Sequence, residues 1–447
     1  MNSKRVSIYD SVMGSGKSTF IIEHLNSVKT PFIICVERQS EVDRLAQGIK
    51  GAVALSDLKK SSKKPMLELL KNCLAERKSI ISTHQLMALW DEAVKAYVRE
   101  YGYELYLDET LSGILEPMSI SKRDVSKLIE EGKLVVNTQG SLDKVEVVRP
   151  FLDRYQKYER TIRNKDCYLS STGILIEAPK PDFITSFKKV TVLTYLFEGS
   201  LMWAYFKLHG IKYQLLSILD GKPVPHKEPS GSQFSELITI YEGKHNGQRS
   251  DSSYSKNWYK REANLKKAMK QLRQVVDNSC YRKLHIAYTV HGCLKDTFHH
   301  QSFSNKVINR KYHGPDRNKL SPEEMELVTL LPQNMRGSND FAHKRFMAYM
   351  VNTYMKPPVI NLLRDSCMFE EDELKTLQDN YALSQLIQWL WRGCIRKGEP
   401  MTVYIPSKRM RELFKTWLGV SVGTMGKKRN SNKLKRNYKQ EEEWPHF

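Results

Sequence analysis

One stretch near the beginning of the chain decides the fold: Tyr9-Asp10-Ser11-Val12-Met13-Gly14-Ser15-Gly16-Lys17-Ser18-Thr19-Phe20. An apolar run precedes it, which predicts a buried strand, and apolar residues at helical spacing follow it. The two glycines allow a tight turn whose N–H groups point at an anion, and the N-terminus of the following helix favours negative charge. The pattern therefore predicts a phosphate-binding loop. The alternative is a Gly/Ser-rich turn before an ordinary helix.

The residue types in this loop indicate how a nucleoside triphosphate would be held. Lys17 can reach the terminal phosphates, and the hydroxyl of Ser18 can bind Mg²⁺. Ser11 stands where the usual pattern, G-x-x-x-x-G-K-[ST], has its first glycine. The predicted nucleotide-binding residues are Met13, Gly14, Ser15, Gly16, Lys17, Ser18 and Thr19.

The composition fits a multidomain globular protein. The chain has 447 residues, enough for two or three domains, and 40% of them are hydrophobic. No apolar run reaches the length of a membrane span, and the first strand is expected too early to leave room for a signal or transit peptide. The seven cysteines are scattered without a C-x-x-C pair, which argues against a disulfide scaffold or a zinc site and favours a reducing, cytoplasmic location.

The charge of the chain favours a polyanionic partner. The formal net charge is +21 at pH 7, and lysine and arginine bind nucleic acid by neutralising phosphates and releasing counterions. A predicted triphosphate site in the same chain favours nucleic acid over the alternative, which is a basic protein with scattered charge.

The first half of the chain alternates short apolar runs with helical stretches, which predicts a parallel sheet joined by helices. The predicted strands after the first are Phe32–Val36, Ser79–Ser82, Glu104–Leu107 and Val190–Phe197. The gap between the last two is too long for one crossover, so we expect an inserted subdomain with a Lys- and Glu-rich helical pattern at about 111–181. Residues 1–220 are predicted to form the first domain.

A linker, a second α/β domain and a basic tail are predicted next. Residues 221–235 are rich in proline and glycine and form the linker, and residues 236–420 form the second domain. Its expected strands include Leu284–Tyr288, Leu327–Leu331 and Met401–Ile405. A helix expected at Trp258–Val276 has one basic face, which either contacts nucleic acid or is simply solvated. Residues 421–447 are predicted to be a flexible basic arm, or a solubilising tail without a role.

Two acids at the end of a predicted strand, Asp108 and Glu109, fit the second half of a triphosphatase site. The carboxyl ends of the strands of an open α/β sheet are where ligands bind. Asp108 would hold Mg²⁺ through its water shell, and Glu109 would orient and deprotonate the attacking water.

A third segment combines one glutamine with two arginines. Gln388, Arg392 and Arg396 lie four residues apart and would share one face of a helix. The planar, permanently charged guanidinium group suits the stabilisation of charge on a phosphoryl group in transfer. The alternative is an amphipathic helix whose arginines pair with surface acids.

The order and spacing of these segments resemble the superfamily 2 (DEAD/DEAH-like) helicases, and within them a helicase family common in tailed bacteriophages. The matching segments are Asp10–Ser18, Ile81–Gln85, Asp108–Glu109, Val192–Phe197, Asn334–Asn339, Gln388–Arg396 and Tyr404–Arg411. The chain departs from that pattern at Thr110, which follows Asp-Glu, and at Trp391, where the last motif usually has glycine. One extra residue before the final arginine leaves both Arg392 and Arg396 open as the arginine finger.

The resemblance implies an α/β fold of two tandem RecA-like parallel-sheet domains, with the insertion in the first and the basic tail at the end. It implies ATP and Mg²⁺ as cofactors and nucleic acid, DNA more than RNA, as the partner. The implied catalytic residues are Lys17, Asp108, Glu109, Gln388, Arg392 and Arg396, with Ser18 and Asp108 on the metal. The implied nucleic-acid or coupling residues are Arg38, Thr83, His84, Thr194, Asn334 and Arg336. Thr83 and His84 could instead have a structural role, such as capping a helix.

The expected function is that of an ATP-dependent helicase or translocase that acts on DNA in phage replication, recombination or repair. The alternative is an ATP-switched nucleic-acid-binding protein, such as an annealing, origin-binding or branch-migration factor, that does not unwind strands. A P-loop kinase fits less well, because it needs neither a second α/β domain with paired arginines nor so high a positive charge.

Overall fold

The computed structural model of the chain describes residues 5–151, 155–246, 251–295, 297, 328–333 and 340–420. The chain divides into two compact units. The first contains Met1–Pro229 and Met355–Tyr381, and the second contains Ser230–Tyr354 and Ala382–Phe447. Within the described ranges, no helix is long and apolar enough to cross a membrane.

The secondary structure of the described residues alternates between strands and helices in both units. The strands are β1 Val6–Asp10, β2 Phe32–Val36, β3 Val53–Ala54, β4 Ile80–Thr83, β5 Glu104–Asp108, β6 Glu116–Pro117, β7 Leu134–Gln139, β8 Leu142–Val147, β9 Asp166–Leu169, β10 Leu175–Ala178, β11 Lys189–Thr194, β12 Gln214–Leu219, β13 Lys222–Pro225, β14 Ile238–Ile240, β15 Ile286–Thr289, β16 Thr329–Leu330, β17 Phe346–Tyr349 and β18 Met401–Tyr404. The α-helices are α1 Lys17–Ser27, α2 Gln39–Gly48, α3 Leu55–Lys60, α4 Met66–Ala75, α5 His84–Met87, α6 Glu92–Glu100, α7 Lys122–Glu130, α8 Gln156–Asn164, α9 Asp182–Thr185, α10 Leu201–Leu208, α11 Glu262–Asp277, α12 Pro357–Asp365, α13 Glu371–Leu390 and α14 Lys408–Trp417.

An eight-stranded sheet in the order β13-β12-β1-β11-β5-β2-β4-β3 forms the centre of the first unit. Its neighbouring strands are parallel except β12 and β13. Helices cover both faces, so the central strands are apolar almost throughout, and every residue of β2 is buried. Ile34 packs with residues of α1 and α2 on one face, and Ile33 packs with residues of α4, α6 and α10 on the other. The predicted α/β fold with a parallel sheet is confirmed.

The predicted linker contains a strand of this sheet. Residues 222–225 form β13, which pairs with β12 across a hairpin turn at Asp220-Gly221, where both residues have positive φ. Pro223 and Pro225 are tolerated because β13 lies at the edge of the sheet, where a missing N–H costs no ladder hydrogen bond. Proline and glycine therefore mark a hairpin here as well as the boundary between the units, which falls at Pro229.

The segment between β5 and β11 contains its own sheet. Five strands pair in the order β6-β10-β9-β8-β7, antiparallel throughout. Helices α7 and α8 pack on it through buried residues such as Val125, Leu128 and Ile162. Helices were expected for 111–181, and the segment contains helices together with a sheet. The strands β7 and β8 form a hairpin that the many charged residues of this segment hide in the sequence.

Residues 355–381 belong to the first unit, although the sequence placed them in the second domain. Val359, Leu362 and Leu363 of α12 are buried in the core of the first unit. Polar contacts add to this packing: Lys356 is paired with Glu116, and the backbone N–H of Ser171 donates to a carboxylate oxygen of Asp365 at 2.8 Å. Apolar helical periodicity shows that such a helix is buried but not which core it joins.

Five parallel strands form the sheet of the second unit, in the order β14-β18-β17-β15-β16. Ile286 and Phe346 of this sheet pack against Leu272 of α11 in one core. Strands were predicted at each of β15, β16 and β18, and their observed bounds differ by one to two residues at most ends. Residues 421–447, where the basic tail was predicted, lie outside the described residues.

Candidate nucleotide-binding site

The predicted phosphate-binding loop joins β1 to α1. Gly14 and Gly16 both have φ of +87°, a left-handed conformation that glycine adopts without strain. At Gly16 the space is also closed, because an added Cβ would lie 2.7 Å from the backbone nitrogen of Gly221. The N–H of Gly221 donates to the carbonyl of Ser15 at 3.2 Å. The β12–β13 hairpin thus packs directly on the loop.

Ser11, which replaces the usual first glycine, fixes the start of the loop to two neighbouring strands. Its backbone N–H donates to the carbonyl of Thr194 at 2.9 Å, and its hydroxyl accepts from the N–H of Ile218 at 2.6 Å. Serine therefore has a structural role at this position, because its buried hydroxyl oxygen accepts a hydrogen bond from a backbone N–H of β12 that would otherwise be unsatisfied.

Asp10 begins the first matching segment, but the sequence analysis gave it no role, and the structure shows that it is a structural carboxylate of this site. It is buried, and its two carboxylate oxygens accept hydrogen bonds from the backbone N–H groups of Leu196 and Phe197, each at 2.8 Å. Burial raises the pKa of Asp10, whereas these two hydrogen bonds and the charge of Lys17 oppose that rise. Asp10 therefore holds the segment after β11 against the end of β1.

The ammonium group of Lys17 lies among the acidic residues of the site. Its Nζ donates to the carbonyl of Ser11 and, at 3.4 Å, to that of Val12. Burial lowers the pKa of Lys17, and the negative charges of Glu109, Asp108 and Asp10 act in the opposite direction. The structure thus brings the lysine of the loop and the predicted Asp-Glu pair together.

Asp108 and Glu109 stand at the carboxyl edge of the sheet, where β5 ends beside β11. Burial and the neighbouring Glu109 raise the pKa of Asp108 to about 7, against the opposing charges of Lys17 and Arg44. Glu109 has φ of 76°, which is unusual for a residue other than glycine and costs on the order of 1 kcal/mol or more. Such strain at a carboxylate beside a phosphate-binding loop is typical of a functional position.

Glu109 is connected to the Val192–Phe197 segment by two hydrogen bonds. Its backbone N–H donates to the carbonyl of Leu193 at 2.8 Å, and its carboxylate Oε2 accepts from the hydroxyl of Thr194 at 3.2 Å. Thr194 is buried, so its hydroxyl is held in place by the surrounding sheet. Thr194, which the resemblance implies as a nucleic-acid or coupling residue, therefore contacts the residue predicted to activate water.

Arg44 of α2 is a further residue of this site that the motifs do not identify. Its guanidinium group binds Glu41 at 2.7 Å, and its Nη2 lies 3.5 Å from the hydroxyl oxygen of Ser18. Its positive charge also opposes the rise of the Asp108 pKa. An ordinary i,i+3 ion pair on an amphipathic helix was the only signal in the sequence, and that pattern is common on exposed surfaces.

The residues present fit Mg²⁺ as part of a bound nucleotide complex. Ser18 offers a hydroxyl and Asp108 a carboxylate, and oxygen is the ligand atom that Mg²⁺ prefers. Within the described part of the chain, no group of three or more His, Cys, Asp or Glu could hold a metal ion. A metal held by so few protein atoms needs water and phosphate oxygens as its other ligands, which is how Mg²⁺ binds at triphosphate sites.

Three residues predicted to contact nucleic acid lie near the same edge of the sheet, and two of them have structural partners. The hydroxyl of Thr83 caps α5 by accepting from the N–H of Leu86 at 3.4 Å. His84 Nε2 is 3.2 Å from the carbonyl oxygen of Cys35. These contacts favour the structural alternative for both residues. Arg38 is half-buried at the N-terminus of α2, and Asn334 and Arg336 lie outside the described residues.

In the second unit, Gln388, Arg392 and Arg396 do not share one helix face, which corrects the prediction. α13 ends at Leu390, and Arg396 is exposed in a separate 3-10 helix, Cys394–Lys397. The break occurs at Gly393, where a Cβ would lie 2.4 Å from the Met401 side chain and 2.5 Å from that of Met347. Only glycine therefore fits where the chain after α13 passes close to Met347 and Met401.

Of the residues around that break, Trp391 has a clear structural role. Trp391, which stands where glycine was expected, is buried edge-on against Phe234 at 4.8 Å and Trp417 at 5.7 Å between ring centroids. Gln388 is 8% exposed, and its Oε1 has no hydrogen-bond partner among the described residues. Arg392 is half-buried two residues after the end of α13.

The segment that follows β18 stabilises the second unit from within. Arg409 donates to the side-chain oxygen of Asn352 at 3.1 Å and to the carbonyl of Thr353 at 2.9 Å, and its guanidinium lies 4.4 Å from the ring centroid of Tyr354. Arg411 donates to the carbonyl of Ile405 at 2.8 Å. These contacts hold the loop after β17 and the turn before α14 in place.

The fold that carries this site is similar to that of solved XPD helicase structures. The structure of S. tokodaii Xpd4 matches with a TM-score of 0.50 at 14% identity, over 94% of this chain and 95% of that one. An XPD helicase matches with a TM-score of 0.51 at 15% identity, over 94% of this chain and 96% of that one. An apo XPD structure matches with a TM-score of 0.53 at 14% identity, over 95% and 97% of the two chains. At these identities the likeness establishes the fold and not the activity, so the resemblance to superfamily 2 helicases is confirmed at the level of the fold.

Two comparisons of sequence point to a more particular relative. Residues 232–418 match the family described as the YonV C-terminal Rossmann-like domain. YonV itself, an uncharacterized SPbeta prophage-derived protein of Bacillus subtilis strain 168, is 27% identical over 434 residues, which cover 93% of this chain and 99% of YonV. The two proteins therefore align almost from end to end.

Proposed function

We propose that the protein is an ATP-dependent helicase or translocase that acts on nucleic acid, and on DNA in particular. The observation that carries the proposal is the 3.2 Å hydrogen bond from Thr194 to the carboxylate of Glu109, beside a loop with the geometry of a phosphate cradle. This contact joins the residue proposed to activate water to the end of β11, so a change at the phosphate site can reach that strand. The helicase fold supports the same interpretation.

The chemistry follows from the residues of the first unit. Lys17 would leave the carbonyl oxygens it now contacts and bind the terminal phosphate oxygens, while the backbone N–H groups of Gly14–Ser18 surround the other phosphates. Glu109 would orient a water molecule and accept its proton, with Thr194 holding the carboxylate in place. Mg²⁺, when bound at Ser18 and Asp108, would neutralise charge on the phosphate oxygens.

The second unit contributes cationic groups in this proposal. Arg392 and Arg396 are the residues proposed to stabilise negative charge on the phosphoryl group during hydrolysis. Of the two, we favour Arg392, because its side chain is half-buried, whereas that of Arg396 is exposed.

A role in phage DNA metabolism is the more specific part of the proposal. Its support is that YonV, to which this chain is similar along nearly its whole length, is prophage-derived. A net charge of +21 favours a polyanionic partner. We propose that the protein acts in the cytoplasm of the host cell, which is consistent with cysteines that form no disulfide among the described residues.

The test is ATP hydrolysis by purified protein with and without single-stranded DNA, and with RNA of the same sequence. Lys17→Ala and Arg392→Ala should each abolish the hydrolysis stimulated by DNA, since a loss of even about 4 kcal/mol of transition-state stabilisation slows turnover about a thousandfold. Both variants should still bind DNA in the absence of nucleotide. Lys29→Ala and Lys397→Ala are matched controls, because they remove exposed lysines beyond α1 and beside Arg396.

Strand separation is then measured apart from movement. A forked duplex reports unwinding, and displacement of a third strand from a triplex reports translocation alone. Normal turnover in the Lys17→Ala variant would refute the proposal, and so would phosphate transfer to an acceptor other than water. Hydrolysis without either unwinding or displacement would assign the protein to the ATP-switched binding factors instead.

A further inference from the structure

Helix α11 of the second unit has two faces of opposite character. One face is buried in the core of that unit and consists of Ala268, Met269, Leu272, Val275 and Val276. The other face is exposed and carries Lys266, Lys267, Lys270 and Arg273. At about 100° per residue these four basic positions span roughly one third of the helix circumference, opposite the buried face.

The acidic residues of α11 lie at its two ends. Glu262 is in the first turn and Asp277 is the last residue, so the turns between them carry positive charge alone on the exposed side. Lys266 is paired with Glu262 at 2.6 Å, but both side chains are more than 60% exposed, and such a pair contributes little. Among the residues that the structure describes, none places a carboxylate within ion-pair distance of Lys267 or Lys270.

The chain before α11 extends the same charge. Lys256, Lys260 and Arg261 are exposed, and the last two directly precede the helix. Trp258 is partly buried against Tyr254, with which its ring stacks at 4.6 Å between centroids. This short segment is held by aromatic packing, so its charges have a fixed location relative to α11.

A solvated helix face usually mixes charges of both signs, because i,i+4 pairs of opposite charge stabilise a helix and like charges destabilise it. α7 of the same protein shows the usual mixture, since Lys122, Arg123 and Lys127 alternate with Asp124 and Glu130. Repulsion between the like charges on the exposed face of α11 therefore destabilises the helix, and the need to keep this face solvated does not explain it.

We propose that the exposed face of α11 defined by Lys266, Lys267 and Lys270 binds the phosphate backbone of nucleic acid. This inference rests on the proposed function, because it gives the nucleic acid a contact outside all the helicase motifs. The ammonium group of lysine binds phosphate as a point charge without reading bases, which suits movement along any sequence. An acidic protein partner is disfavoured, because none of the large apolar side chains exposed in the described residues lies on α11 to form an interface core.

The expected effect follows from counterion release. Each phosphate neutralised on a single strand contributes about 0.7 to the slope of log affinity against log salt concentration. Neutralising three lysines that each contact one phosphate should make that slope shallower by about 2, and should weaken binding at least about tenfold at 0.1 M salt.

The experiment compares two variants with equal changes of charge. One is Lys266→Gln, Lys267→Gln, Lys270→Gln on α11, and the control is Lys122→Gln, Arg123→Gln, Lys127→Gln on α7. Glutamine has nearly the helix propensity of lysine, so folding should be preserved, and thermal unfolding checks this. Affinity for a labelled single-stranded DNA is measured by fluorescence anisotropy between about 50 and 200 mM salt. The single variant Lys270→Gln, with an expected slope change of about 0.7, serves if the triple variant does not fold.

A shallower slope for the α11 variant alone supports the proposal. An unchanged slope overturns it, and so does an equal change in the α7 control, because that would be an effect of net charge alone. If wild-type protein does not bind DNA or RNA at all, the proposed function fails together with this inference. If wild type binds and the α11 variant shows the same slope as wild type, this inference fails while the proposed function stands.

Discussion

Gly14 and Gly16 share one backbone conformation but have different surroundings, so alanine should cost more at one than at the other. Both have φ of +87°. A Cβ at Gly14 would meet no atom within 4 Å, whereas a Cβ at Gly16 would lie 2.7 Å from the nitrogen and 2.9 Å from the Cα of Gly221. Gly14→Ala therefore adds strain alone, and Gly16→Ala adds strain and a collision with backbone.

The magnitudes can be worked from these two terms. Left-handed backbone costs an alanine about 1–2 kcal/mol relative to glycine. The collision at Gly16 cannot be relieved by rotating a side chain, and overpacking of this kind typically costs a further ~1–3 kcal/mol. The hydrogen bond from Gly221 to Ser15 would be lost as well, at about 1 kcal/mol. We therefore expect Gly14→Ala to destabilise the first unit by about 1–2 kcal/mol and Gly16→Ala by about 3–6 kcal/mol.

Two measurements separate the variants. Thermal unfolding should show a decrease of a few degrees for Gly14→Ala and a decrease at least twice as large for Gly16→Ala. Titration with a fluorescent ATP analogue should show more than a tenfold loss of affinity for Gly16→Ala, since displacing the β12–β13 hairpin moves the loop that holds the phosphates. Equal effects of the two substitutions in both measurements would refute the claim that the Gly221 contact shapes the loop.

Two further predictions concern single side chains. Thr194→Val keeps the shape of the residue but removes the hydroxyl that donates to Glu109. Turnover stimulated by DNA should therefore fall about tenfold, a change of about 1.4 kcal/mol, with nucleotide affinity unchanged. Steady-state phosphate release measures this, and unaltered turnover would contradict it. Burial lowers the pKa of His209, whose ring lies 4.4 Å from that of Tyr205. The unfolded chain therefore binds the proton more tightly, and stability falls as the pH decreases through the ordinary histidine pKa of about 6.5. His209→Phe should lose less stability than wild type between pH 7.5 and 5.5 in urea unfolding, and an identical loss would show that His209 does not contribute.

Much of the nucleotide site could be predicted because its residues are adjacent in sequence. The glycines, Lys17 and Ser18 belong to one loop, and Asp108 follows a strand that apolar residues make evident. Parallel strands bring their carboxyl ends to one edge, so the meeting of Lys17 with the acids at 108 and 109 followed from the alternation of strands and helices.

Other parts of the site could not be predicted because they depend on contacts between distant segments. Nothing near Arg44 in the sequence indicates that its guanidinium group reaches Ser18, and nothing near Gly16 indicates that Gly221 approaches it. The prediction of one continuous helix from Gln388 to Arg396 was wrong for the same reason. Spacing alone favoured a helix, but the helix ends at Leu390, and Gly393 then lies close to Met347 and Met401.

The sequence by itself determined the phosphate-binding loop, the acidic pair and the two parallel-sheet units, since each of these is encoded by local pattern: apolar periodicity, turn-forming glycines and the position of polar residues at strand ends. Only the tertiary structure decided that α12 joins the first unit, that Thr194 donates to Glu109 and that the basic face of α11 is left exposed. Those outcomes depend on which buried surfaces meet, and the free energy of burying apolar area does not depend on how far apart in the chain the contributing residues lie.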